Sequence, residues 1–105
     1  VVVLGHAQCG GVAALVDGVP PEAQDFVSVW MELLEPARAR VAAHDAHHHD
    51  EFEKEVVKLS LENLRTFPWI AERVAAGTLE LADFRFDIHT GVLMRLVDGG
   101  FEAVT

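Results

Sequence analysis

A histidine and a cysteine stand three residues apart in the segment Gly5-His6-Ala7-Gln8-Cys9-Gly10-Gly11. An imidazole nitrogen and a thiolate are both good donors to zinc, which prefers a tetrahedral set. A His-x-x-Cys pair can direct both at one cation. Taken alone the motif is weak, because a lone cysteine is more often inert core than ligand. Cys9 is the only cysteine, so no internal disulfide can form; its sulfur is a free thiol, a metal ligand or a nucleophile. Gln8, between the two donors, is a candidate to face a substrate pocket.

Other polar side chains invite blander readings. His44, His47, His48 and His49 sit among Asp45 and Asp50. His44 and His48 could share a helical face and bind a metal. A short histidine-rich tract is only a compositional signal, however, and reads as a solvated loop or helix end. His89 precedes Thr90-Gly91 and could shuttle protons. As a turn residue it reads as exposed, with Asp87 supporting the turn. Trp30, Phe67 and Trp69 read as core or subunit-interface aromatics rather than a ligand cage.

Positioning His6 and Cys9 takes a strand that ends at them and a helix that begins after them. Val1 to Leu4 is a continuous aliphatic run, which suits a strand buried on both faces of a parallel sheet. Sites in such sheets form at the carboxyl ends of strands. Gly10 and Gly11 let the backbone turn into a helix over Val12 to Val16 that stops near Gly18, and the helix amino end favours a thiolate at Cys9. Phe26, Trp30, Leu33 and Leu34 share one face of a helix over Phe26 to Val41, interrupted at Pro36. Glu51 to Ala76 is the longest helical stretch. Pro68 kinks or restarts it, Trp69, Ile70 and Val74 face inward, and Gly77 is a C′ residue. Leu79-Glu80-Leu81 and Phe84 to Ile88 alternate as strand, His89-Thr90-Gly91 turns, Val92 to Val97 is the next strand, and Asp98-Gly99-Gly100 turns again. The order predicts an α/β fold, a mainly parallel sheet with flanking helices, in one domain over residues 1–105.

Eight basic against seventeen acidic residues leave a formal charge of −9, which disfavours nucleic acid and anionic membrane surfaces as partners. No apolar stretch approaches the roughly 20 residues that span a bilayer, and no basic-then-apolar leader is seen. A cytoplasmic protein is the default expectation. The chain opens on Val1 inside a strand-like run, so the expectation is a domain incomplete at its N-terminus.

Val2-Val3-Leu4-Gly5-His6-Ala7-Gln8-Cys9-Gly10-Gly11 resembles the second zinc-binding segment of the β-class carbonic anhydrases. Phe26-Val27-Ser28-Val29-Trp30 and Pro36-Ala37 resemble the helix that follows in that family. Glu53 to Pro68 is similar to its long helix. Gly77-Thr78-Leu79, Phe86-Asp87-Ile88 and Thr90-Gly91-Val92-Leu93 are similar to its closing strands. The resemblance implies that His6 is the histidine ligand and Cys9 the second cysteine ligand of a catalytic Zn2+. It implies reversible hydration of carbon dioxide to bicarbonate, in a homodimer or higher homo-oligomer. The family's first cysteine, with an aspartate and an arginine that orient the zinc-bound hydroxide, lies in a Cys-x-Asp-Ser-Arg segment that is absent here. The catalytic residues are therefore not in this chain, and by itself it is expected to be inactive. Hydrolysis of carbonyl sulfide or carbon disulfide, a non-catalytic assembly subunit of the same fold, and a redox or nucleophilic thiol at Cys9 are the rival readings.

Overall fold

Val2–His6 forms the first strand, β1, of a computed structural model that describes residues 1–42 and 49–104. Helix α1 follows at Gly10–Asp17 and closes at Gly18, whose φ of 95° suits a residue without Cβ. A 3-10 turn at Pro21–Ala23 and a π turn at Gln24–Ser28 lead into α2, Val29–Glu32. Helices α3, Glu35–Ala42, and α4, His49–Arg65, come next. Helix α5, Pro68–Ala75, starts anew because Pro68 supplies no amide and fits a first turn. It ends at Gly77, φ 74°, where the amides of Gly77 and Thr78 reach back to the carbonyls of Val74 and Arg73. Strands β2, Ala82–Phe86, β3, Leu93–Val97, and β4, Gly100–Ala103, complete the order.

The four strands lie in the order β1-β2-β3-β4. The expected parallel pairing is confined to β1 and β2, with Val3 opposite Asp83 and His6 opposite Phe86. Among the described residues, helices α1 to α5 lie in the crossover that a parallel pair requires. β3 and β4 join through the short turns 87–92 and 98–99, which permit only antiparallel pairing. Leu79-Glu80-Leu81 is not a strand; pairing begins at Ala82. β4 was not anticipated from the sequence.

Helix α4 packs on β1 and β2, and Gly5 makes the approach possible. A Cβ on Gly5 would overlap Val57 Cγ2. The expectation that β1 is buried on both faces fails in this chain: Val2 is 63% and Leu4 62% exposed on the face away from α4. A core of Val12, Leu15, Met31, Val41 and Phe52 ties α1 to α2, α3 and α4, with Cys9 packed against it. Phe26, Trp30 and Leu33 do share a helical side, but it is the exposed one; Met31 faces the core instead. In α5 only Ile70 is buried, whereas Trp69 and Phe67 are exposed, so the three aromatics are not core here.

Candidate metal centre

His6 closes β1, and the chain turns through Ala7 and Gln8 to Cys9, which caps α1. Two hydrogen bonds hold the turn. The Ala7 amide donates to Phe86 O at 2.8 Å, and the Gln8 amide donates to Glu53 Oε2 at 2.8 Å. Gln8 sits at φ 55°, a left-handed conformation uncommon for a residue with a long side chain. Its side chain is exposed, so Gln8 contributes to the site through its backbone.

His6 Nδ1 lies 3.0 Å from Ala7 O, an atom that can only accept. The proton of that bond is therefore on Nδ1, which leaves the lone pair of Nε2 free for a metal. Cys9 has an extended backbone (φ −65°, ψ 123°), and its carbonyl accepts the Ala13 amide at 2.9 Å to open α1. Gly11 lies close to the sulfur: a Cβ there would be 3.7 Å from Cys9 Sγ and 3.5 Å from Met31 Cε. The helix amino end presents partial positive charge beside Cys9, the polarity an anionic ligand needs.

His6 and Cys9 line one cavity of about 190 Å3 at the carboxyl end of β1. Val3, Leu4, Val12, Val56 and Val57 give it an aliphatic wall. Glu53 also lines it, but both its oxygens are engaged. Oε1 accepts from Arg85 Nε at 3.1 Å and Nη2 at 2.7 Å, and Oε2 accepts from Gln8. Glu53 and Arg85 are 4% and 7% exposed, a buried ion pair linking α4 to β2. Removing one partner of such a pair generally costs about 3–5 kcal/mol, because a buried charge is left alone.

The donor chemistry at His6 and Cys9 fits zinc in kind. Among the described residues, no third His, Cys, Asp or Glu joins them in a set able to hold a metal. A zinc site needs at least three protein ligands. His44, His47 and His48 lie outside the described residues. His49 opens α4, with Nε2 3.3 Å from Asp17 Oδ2. His89 stays in an exposed turn, where its amide and that of Thr90 donate to Asp87 Oδ1 at 2.8 and 3.2 Å. Those bonds hold the Asp87 carboxyl below its ordinary range and give it the turn-supporting role read from the sequence. Arg85 was missed as a site residue. In Phe84-Arg85-Phe86 the alternation reads as aromatics in and charge out, and the structure reverses it.

The carbonic anhydrase family model matches residues 1–93. Beta carbonic anhydrase 3 of Arabidopsis thaliana is 31% identical over 99 residues, covering 87% of this chain and 38% of its own length. The structure of the β-carbonic anhydrase CcaA superposes with a TM-score of 0.84 at 24% identity, over 99% of this chain and 50% of that one. A structure described among two tetrameric β-carbonic anhydrases from the filamentous ascomycete Sordaria macrospora gives 0.72 at 23% identity, over 97% of this chain and 53% of that one. These structures share the fold, and the chain spans half or less of the length of the first relatives it matches. With the family model covering β1, the His6–Cys9 turn, helices α1 to α5 and β2, the chain belongs to the β-class carbonic anhydrases.

Proposed function

We propose that this chain carries part of a carbonic anhydrase active site. His6 and Cys9 supply two ligands to zinc for the reversible hydration of carbon dioxide to bicarbonate. The third ligand and the side chains that orient water come from polypeptide outside these residues. One observation carries the reading: the two donors assigned by family resemblance line a single cavity at the end of β1. Zinc, when bound, supplies a Lewis acid that makes water a nucleophile at neutral pH. The chain's own residues hold and shape. Ala7 O keeps the His6 ring in the tautomer that frees Nε2. The α1 amino end accommodates negative charge at Cys9. The aliphatic wall suits carbon dioxide, which is small and has no dipole. The exposed Phe26, Trp30 and Leu33 are offered for contact with the rest of the domain or another subunit, in a homo-oligomer.

Two protein donors hold zinc weakly, so this chain alone should hydrate carbon dioxide no faster than free zinc. A longer polypeptide bearing a Cys-x-Asp-Ser-Arg segment ahead of it should bind zinc stoichiometrically. There, His6→Ala or Cys9→Ser should abolish both zinc retention and stopped-flow hydration. Zinc that stays stoichiometric in either variant would refute the ligand assignment.

A further inference from the structure

The turn between the two donors is held from below by a charge pair that has no ligand role of its own. We infer that Glu53 and Arg85 are positioning residues for the metal site: they fix the Gln8 backbone, and through it the placement of His6 and Cys9 on one cavity. This rests on the zinc reading of those two residues. Gln8 sits at a φ of 55°, which must be stabilised from outside, since left-handed backbone is unfavourable for an L side chain. The stabilising partner is Glu53 Oε2, at 2.8 Å from the Gln8 amide. Glu53 cannot turn away, because its other oxygen is held by the forked Arg85 guanidinium at 2.7 and 3.1 Å. Arg85 is in turn one residue from Phe86, whose carbonyl holds the Ala7 amide. Strand β2 therefore secures the ligand turn at two successive amides, one directly and one through Glu53. With both carboxylate oxygens engaged, Glu53 acts through Gln8 and is not a free third ligand.

The test uses the longer polypeptide that carries a Cys-x-Asp-Ser-Arg segment ahead of these residues, loaded with cobalt(II), whose thiolate charge-transfer absorption reports cysteine coordination. The double variant Glu53→Gln/Arg85→Gln removes both charges together, so neither is stranded. Two readouts are followed: exchange of the Gln8 amide by NMR, and cobalt affinity. Gln8 exchange should accelerate about tenfold or more while amides inside β2 and β3 stay protected. Cobalt affinity should fall about 10–100-fold, the usual loss for an outer-shell partner. Arg85→Lys keeps the charge but not the fork and should move both readouts the same way by less. Should the double variant fail to fold, that variant decides on the same two measurements. Unchanged Gln8 exchange in a chain with an intact sheet overturns the inference. So does faster exchange with unchanged cobalt affinity, which would make the pair a brace with no bearing on the metal. Cys9→Ser separates the two levels: cobalt affinity indifferent to it sinks the zinc reading, while Gln8 exchange still decides whether the pair holds the turn.

Discussion

Asp83 lies in β2 and is 1% exposed, and among the described residues neither of its carboxylate oxygens has a hydrogen-bond partner. It borders a cavity of about 380 Å3 also lined by Lys58, Arg65 and Asp98. Burial pushes its carboxyl from 3.8 up to about 6, against a weaker opposing pull from Arg65. The unfolded chain ionises this group near its ordinary value, whereas the fold resists ionisation until about pH 6. Between about pH 4 and 6 the folded state therefore binds more protons, and stability falls as pH rises through that window. Above it the full cost remains, about 3 kcal/mol from the interval between the two values. Asp83→Asn removes the charge at nearly constant shape. The variant should match the wild type near about pH 4 and exceed it by about 2–3 kcal/mol near about pH 7.5. Urea unfolding followed by far-ultraviolet circular dichroism measures this; both tryptophans are exposed and would report poorly. Other titrating groups cancel in the difference between the two proteins. Curves that run parallel across the window would refute the reasoning, because they would mean that the carboxylate is paired in solution, with Arg65 the group placed to do it.

Gly5→Ala forces β1 away from Val57 and should lower stability by about 1–3 kcal/mol, read as a drop in thermal midpoint. Adding Val57→Ala should recover part of that loss, and a neutral Gly5→Ala would mean that the helix does not sit on that residue. Arg40→Ala removes the forked contacts to Glu62 at 2.7 and 3.0 Å that tie α3 to α4. Both side chains are well exposed, so the loss should be at most about 1 kcal/mol and should shrink in high salt.

Local chemistry was legible in the sequence where a single residue decides the backbone. Gly18, Pro68 and Gly77 end, restart and end helices where their conformational preferences say they must. The strand–turn–helix around His6 and Cys9 was legible for the same reason. What was not legible depends on partners far along the chain. Spacing groups Phe26, Trp30 and Leu33 on one side of a helix, but only tertiary packing decides that Met31's side is the covered one. Alternation marks 84–86 as strand without fixing which face turns inward. The residue that turns Arg85 inward is Glu53, 32 positions away.

That reversal explains why a strand with two phenylalanines hides its charges. Side chains repeat every two residues along a strand, so Asp83 and Arg85 must share a face. A slip of one residue would turn Phe84 and Phe86 toward α4 and release both charged groups to water, the more favourable choice by hydrophobicity alone. It would also remove Arg85 from Glu53 and displace the Phe86 carbonyl from the Ala7 amide, leaving the turn between His6 and Cys9 unmoored. The register that secures the ligand turn at one end of β2 thus carries the unpartnered Asp83 inward at the other. On this view the instability assigned to Asp83 follows from the geometry that serves the metal site. Asp83→Asn should accordingly stabilise the chain while leaving the exchange rate of the Gln8 amide, relative to its β2 neighbours, where it was. A change in that relative rate would show that the two ends of the strand are not independent.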